Sequence, residues 1–196
     1  MQNHSNMSSK EKLMIAAIDL ISERGYKAVT TKEIADTAGL SEKTLFRLFG
    51  TKQNLLEAAF DHFHYAEEMK QLFANKITRE LQTDLLLISR AYHESMNRNR
   101  KLIMISIKEE ANLPGFKEIT QQHPRQLMTL LTDYFKEMHE SGKVRTSRPE
   151  LSAMSFMMMS FGAFMNNLDA EDNFTDVRLD EFIEESVELF TRALQS

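Results

Sequence analysis

Residues 31–48 read TKEIADTAGLSEKTLFRL, and two short helices joined by a turn of three or four residues account for the pattern. Ile34, Ala35 and Ala38 share one face of the first helix, while Leu45 and Leu48, three apart, give the second its facing stripe. Ala35 is small because two helices that cross steeply on a tight turn bring their backbones close together. Gly39 stands where a left-handed residue closes the first helix, Leu40 points back to the core, and Ser41 can cap the second helix. The spacing predicts a helix-turn-helix.

With Leu45 and Leu48 turned inward, the opposite side of the second helix presents Glu42, Lys43, Phe46 and Arg47, with Ser41 and Thr44 near its start. Such a face suits a major groove, where Lys43 or Arg47 can donate to guanine O6 and N7 and Phe46 can lie against a thymine methyl. Helix starts at Thr31, Ser41 and Thr51 offer backbone N–H groups to phosphate oxygens. Lys52, in the first turn of the next helix, opposes that helix's dipole, and a phosphate there would reverse the sign. The expected DNA contacts are therefore Thr31, Ser41, Glu42, Lys43, Thr44, Phe46, Arg47 and Lys52.

From Lys10 to about Phe60 the chain resembles the N-terminal domain of the TetR family of bacterial transcriptional regulators. The resemblance rests on KEKLMIAAIDLISERGY followed by VTTKEIADTAGLSEKTLFRLFGTKQNLLEAAF, a dense motif over about a quarter of the chain. The remainder agrees in length and helical character. The resemblance implies a homodimer that binds operator DNA, usually as a repressor, and releases it when a small molecule fills a C-terminal pocket. Three positions depart from the usual pattern: Phe46 where a tyrosine is common, Leu48 for a frequent histidine, and Gly50 for a proline or polar residue. The phosphate bond of a tyrosine hydroxyl is missing in consequence.

The 196 residues suffice for one large domain or two small ones with a sizeable core. The net charge of −5 is unevenly spread: residues 1–53 carry eight Lys and Arg against six Asp and Glu, residues 54–196 sixteen against twenty-three. The basic character belongs to the helix-turn-helix end and is mild, which predicts modest non-specific affinity and a dimer that adds two such faces. The chain has no cysteine, so disulfides, thiolate nucleophiles and zinc–thiolate sites are excluded, as fits a cytoplasmic protein. Its polar opening lacks a secretory signal's apolar run. Residues 151–168 carry no charge over eighteen positions, yet their serines, asparagines and short span predict a buried helix rather than a membrane crossing.

Ser8 with Glu11 and Thr30 with Glu33 are capping-box signatures, and Gly25 closes the helix between them. A helix starting at Thr51 is expected to continue towards Phe73. Further helices are expected from about residue 78, over 102–110, over 116–141 with a bend near Pro124, from Pro149, and from about residue 176, with a break at 112–115. No strand-like alternation persists, so the fold is all-α. Residues 1–53 are assigned to DNA binding, with a disordered arm over 1–7, and residues 54–196 to effector binding and dimerisation.

The segment from Pro149 to Asn167 is apolar nearly all round, which requires cover on both sides and favours a partner helix from a second copy. Leu151, Ser155, Met159 and Gly162, with Phe182, Val187 and Phe190 of the last helix, are the expected dimer interface. The thirteen methionines and thirteen phenylalanines concentrate beyond the DNA-reading end. Methionine adapts to varied apolar shapes, so Tyr92, His93, Met96, Met104, Met128, Phe135, Met158, Phe161 and Met165 are the expected lining of an effector pocket. The histidines do not repeat the Glu-x-x-His pattern of a di-iron bundle; only Asp61 precedes a histidine, His64, by three. No metal, cofactor, phosphate-binding glycine loop or nucleophile elbow is expected.

The sequence therefore reads as a homodimeric, ligand-responsive DNA-binding repressor on a palindromic operator. A helical dimer that acts through protein partners and keeps a vestigial module is the alternative, with Glu42 on the reading face and the tyrosine hydroxyl missing at Phe46 as its support. A helical enzyme acting on a lipid-like substrate has no acid–base constellation to work with.

Overall fold

The computed structural model describes residues 7–63 and 66–195; residues 1–6 of the expected arm, and His64, lie outside the described residues. The described residues form ten α-helices: α1 (Ser9–Arg24), α2 (Thr31–Thr37), α3 (Glu42–Phe49), α4 (Lys52–His62), α5 (Ala66–Asn75), α6 (Leu81–Arg98), α7 (Arg100–Lys108), α8 (Phe116–Glu140), α9 (Pro149–Asn166) and α10 (Leu179–Leu194). A short 3-10 turn over Glu110–Asn112 precedes α8. Among the described residues no strand forms, and an isolated antiparallel bridge joins Val144 to Gln195. The fold is all-α. No described helix is long and apolar enough to cross a membrane.

The described residues pack as two compact units, one joining 7–63 with 99–122, the other joining 66–98 with 123–195. In the first, both capping boxes form. The Ser8 N–H donates to Glu11 at 2.8 Å while the Ser8 hydroxyl accepts the Glu11 N–H at 3.2 Å. Thr30 and Glu33 repeat the exchange at 2.8 and 3.2 Å, and Arg24 adds a 2.9 Å bond to the same carboxylate. Each box satisfies helix-start N–H groups that have no acceptor of their own. The Thr30 N–H, then its hydroxyl and Arg24, hold the Glu33 carboxyl down at about 2 against an ordinary 4.5. The box is therefore intact above pH 4.5 and is lost as the pH falls through 2. A carboxyl titration by NMR should place the Glu33 midpoint near 2, and E33Q should lack the acid-induced loosening of α2 between those values. A Glu33 midpoint at its ordinary value would remove this account.

The core of this unit gathers Leu13, Ala17 and Ile21 of α1, Ile34 and Ala35 of α2, Leu45 of α3 and Leu55, Leu56 and Ala59 of α4. Leu102, Ile105, Leu113 and Phe116, from much later in the chain, complete it, with Phe116 edge-on to Phe60 at 6.0 Å. Glu109 bonds the Tyr26 N–H at 3.1 Å, just after Gly25 (φ +82) closes α1. This unit is wider than the 1–53 segment, because the apolar face of α4 is buried against α1 and α7 also packs on α1. The single helix expected from Thr51 to Phe73 is instead α4 and α5. Phe63 leaves helical geometry (φ −105, ψ 15) and its N–H closes the last turn on Ala59.

In the second unit α6 buries Leu81, Leu85, Ile88, Tyr92 and Met96, the stripe that helical periodicity requires. α9, α10 and α5 pack on α6, and α9 packs on α10. α8 stays helical through Pro124, and beyond it Leu127, Leu131, Tyr134, Phe135 and Met138 are buried. Phe135, Phe190 and Phe156 form an aromatic row, with successive ring centroids 6.0 and 5.5 Å apart. Asp84, fully buried in the first turns of α6, accepts the N–H groups of Thr78 and Arg79 at 2.8 Å each and the hydroxyls of Thr78 and Tyr134 at 2.9 and 3.0 Å. The connection thereby holds Arg79 at φ +66, a conformation unusual for a residue with a Cβ. Burial, then the charge of Asp84, pushes the Tyr134 phenol well above its ordinary value.

Candidate nucleic-acid interface

The turn between α2 and α3 follows from two local devices. Gly39 adopts φ +67, and the Leu40 N–H reaches back to the Ala35 carbonyl at 2.9 Å, so the last carbonyls of α2 are satisfied as the chain reverses. Ser41 then caps α3 by accepting the Thr44 N–H at 3.2 Å, and the two hydroxyls lie 2.9 Å apart. Ile34, Ala35 and Leu45 are fully buried and Leu48 is half-buried, which fixes the rotation of α3. Gly50 ends α3 at φ +75 with its N–H on the Phe46 carbonyl at 2.9 Å, and that conformation accounts for glycine at this position.

This rotation leaves Lys43, Phe46, Arg47 and Gly50 exposed at i, i+3, i+4 and i+7, a single face. Phe46 is 48% exposed, a large apolar ring standing in water between two cations. α3 has eight residues, about 12 Å of helix, matching the width of a major groove. No ion pair to Lys43 or Arg47 forms among the described residues, so both heads are available to bases or phosphates. Ser41 is exposed and Thr44 half-buried beside it.

Three of the expected contacts have partners inside the protein. The Thr31 hydroxyl donates to the Glu42 carboxylate at 2.5 Å, stapling the start of α2 to the start of α3. Glu42 therefore sits on the recognition helix as a fastener and not as a bare negative charge on the reading face. Lys52 is also committed: its Nζ donates to the carbonyls of Tyr26 and Val29, both at 2.6 Å, and lies 4.0 Å over the Tyr26 ring. Burial lowers its ammonium pKa, and the charges of Glu109 and Glu33 push it back up. Two carbonyls thus occupy the position expected of a phosphate, because the α1–α2 connection folds over the start of α4. Charge-assisted bonds of this kind are each worth about 1.5–3 kcal/mol when buried and less when partly exposed. K52M should accordingly cost about 1–2 kcal/mol in urea unfolding; a variant as stable as the parent would contradict the role.

The expected effector-pocket residues divide. Tyr92, His93 and Met96 are buried on α6, and burial pushes the Tyr92 phenol up. Phe135 is buried in the aromatic row described above, and Met128 is half-buried on α8. Met104 belongs to the first unit, where it lines a groove of about 420 Å³ with Ile21 and Arg100. Met158 and Met165 project from the surface, and Phe161 is half-buried against Phe164, so these residues do not enclose one cavity with Tyr92. α9 is apolar on every side, and periodicity alone had no way to choose its inner face.

The expected dimer residues divide in the same way. Leu151 and Ser155 are exposed and Met159, Gly162 and Phe182 half-exposed, on α9 and α10. Val187 is fully buried and Phe190 packs on Phe135 and Phe156, so both belong to the core of their own unit. Leu189, 65% exposed, takes the outward position on α10 instead, and the sequence reading missed it.

Residues 8–59 match the family profile described as bacterial regulatory proteins, tetR family, and residues 83–195 match that of an AefR-like transcriptional repressor C-terminal domain. The chain is 31% identical over 188 residues to the uncharacterised HTH-type transcriptional regulator YvkB of Bacillus subtilis, covering 96% of this chain and 98% of that one. Among solved structures it resembles the ketosteroid transcriptional regulator KstR2 of Mycobacterium tuberculosis, with a TM-score of 0.72 at 16% identity over 98% and 97% of the two chains. It also resembles AibR in complex with isovaleryl coenzyme A and operator DNA, with a TM-score of 0.69 at 18% identity over 93% and 97%.

Proposed function

The chain belongs to the TetR family of bacterial transcriptional regulators and binds DNA through its helix-turn-helix, and on that premise we propose that it is a cytoplasmic, homodimeric repressor of a palindromic operator. It is a regulator and not an enzyme. The observation that carries the reading is the exposed Lys43–Phe46–Arg47 face on a helix whose rotation is fixed by buried Leu45 and by the Thr31–Glu42 bond. In this reading Lys43 and Arg47 donate to base edges, Phe46 meets a thymine methyl, and the helix starts at Thr31 and Ser41 take phosphates. Two such faces related by a two-fold axis reach half-sites about 34 Å apart or a multiple of that. The protein-partner alternative loses one of its two supports, since Glu42 is fastened to Thr31, and keeps the other, Phe46 in place of a tyrosine.

Release comes from an apolar small molecule held beyond the reading head, within residues 54–196. The buried Tyr92, His93 and Met96 of α6 support such a site, and the acyl-CoA and ketosteroid in the names of structural relatives suggest the chemical class. Occupancy favours one packing of the helices and changes the half-site separation, a population shift of the ordinary kind. The match to a repressor's C-terminal domain supports the sign of regulation.

Selection of genomic fragments by the purified protein, followed by anisotropy titration of the winner at two salt concentrations, tests the reading. An enriched palindrome whose affinity falls steeply with salt is expected. A folded dimer that enriches nothing, even after extraction of any bound small molecule, would overturn it.

A further inference from the structure

We propose that Glu109, at the end of α7, is a positioning residue for operator binding: it sets the placement of α3 by gripping the backbone between α1 and α2. This rests on the operator-binding reading above and names the residue through which the later chain steadies the reading helix. Residues 25–30 form a turn whose backbone is held by side chains. Arg24 of α1 donates to the Ala28 carbonyl at 3.0 Å, and Lys52 of α4 to the carbonyls of Tyr26 and Val29 at 2.6 Å each. Glu33 of α2 accepts the Thr30 N–H at 2.8 Å. All of these holders come from the helices next to the turn. Glu109 instead lies 83 residues beyond Tyr26, whose N–H it accepts at 3.1 Å.

The carboxylate is itself held in place. Its second oxygen accepts the Asn112 amide at 2.8 Å, and the Asn112 N–H returns to the Glu109 carbonyl at 2.9 Å. The side chain therefore follows the backbone at the end of α7. The grip is close, since a Cβ on Gly25 would stand 3.2 Å from the same oxygen that takes the Tyr26 N–H. Lys52 holds Tyr26 by its carbonyl and lies 4.0 Å over its ring, and the charge of Glu109 favours that ammonium. Tyr26 is thus fixed from α7 on one side and from α4 on the other.

From Tyr26 the placement passes on through short bonds. The Ile34 N–H closes the first turn of α2 on the Thr30 carbonyl at 3.2 Å, and the Thr31–Glu42 bond of 2.5 Å joins that turn to the start of α3. Residues 99–122 belong to this unit, although the chain enters them from the second unit and leaves them into it. A shift of the end of α7 accordingly arrives at the reading helix through Glu109. A second tie, Lys101 to Asp19 at 2.6 Å, also joins α7 to α1, but on the body of α1 and not at the turn.

The test measures operator affinity by anisotropy on the selected fragment, for full-length variants that circular dichroism shows to be folded. E109A should weaken binding about 10-fold, within the roughly 5- to 150-fold of ordinary coupling between sites. Loss of a carboxylate by itself favours DNA, so a weakening of this sign comes from placement and not from charge. E109Q keeps an acceptor for the Tyr26 N–H and should bind within about threefold of the parent. E109D keeps the charge but falls one methylene short; it should weaken binding about fivefold and stands in for E109A where that variant does not fold. D19A removes the comparable tie between the same two helices, an exposed ion pair, and should stay within about threefold of the parent. T31V opens the far end of the path and should cost about fivefold, and E109A/T31V should then remain near 10-fold weaker, where independent sites would give about 50-fold. E109A binding like the parent, E109Q as weak as E109A, D19A as damaging as E109A, or effects of E109A and T31V that multiply would each overturn the proposal. A parent chain that enriches no fragment would instead overturn the operator-binding reading itself.

Discussion

Replacing Arg47 with alanine is expected to weaken binding to the selected operator by roughly 30- to 10⁴-fold while leaving the thermal midpoint almost unchanged. A bidentate arginine–guanine pair discriminates by about 1–3 kcal/mol, and a two-fold dimer loses it twice. The structural cost is small because Arg47 is exposed at the end of α3 and contributes only its favourable position near the helix C-terminus, about 0.3–0.5 kcal/mol. R47K separates two roles. Lysine keeps the charge but loses the planar fork, so a base reader should still lose much of its preference at one base pair, whereas a phosphate contact should be largely restored. If R47A weakened every sequence equally and flattened the salt dependence by about two phosphates, one per copy, Arg47 would be a backbone contact only. Binding within about threefold of the parent would remove α3 from the interface altogether.

The second large effect is expected at Asp84, far from the reading head. D84A should destabilise the protein by about 3–5 kcal/mol, a sizeable share of the 5–15 kcal/mol that holds a domain together. The alanine takes the acceptor away from the N–H groups of Thr78 and Arg79 and leaves the hydroxyl of the buried Tyr134 without its partner. It also releases the clamp that keeps Arg79 in its left-handed conformation. D84N should be nearly as damaging, since one side of the amide is a donor and would face donors. Y134F, which deletes one hydroxyl and leaves the carboxylate its other donors, should cost about 1 kcal/mol. Urea midpoints compared at one protein concentration measure all three, because dimerisation makes stability concentration-dependent. A D84A midpoint close to the parent's would mean the connection re-forms around water.

These two residues mark what the sequence could and could not disclose. Arg47 was legible because everything that orients it is local: the inward leucines, the Ser41 cap and the glycine turn all lie within ten residues. Both capping boxes and the closure at Gly25 were legible for the same reason. Asp84 reads as an ordinary first-turn acid, and the donor of its fourth bond, Tyr134, comes from fifty residues away. Lys52 looked free because the carbonyls it holds belong to a connection more than twenty residues upstream. The inner face of α9 was undetermined because an all-apolar helix offers no periodic contrast, and Val187 and Phe190 were placed at the interface because the apolar stripe of α10 does not say whether it packs within the protomer or on a second copy. The break after His62 has no proline or glycine to announce it.

The first compact unit is discontinuous: its core closes only when Leu113 and Phe116 arrive beside α1 and α4. During synthesis the recognition helix emerges early, but the ribosome must add roughly 60 more residues before that core is complete, about 3–12 s at the usual pace. For that interval the nascent chain lacks the cover that Leu102, Ile105, Leu113 and Phe116 give this core, and Phe60 lacks the ring of Phe116. A reading head that could fold alone would be ready to bind DNA while its own regulatory half was still being made. Here the head waits for residues 99–122, so every molecule able to hold an operator already carries α5, α6 and α7, and only the remainder of the second unit is still to be made.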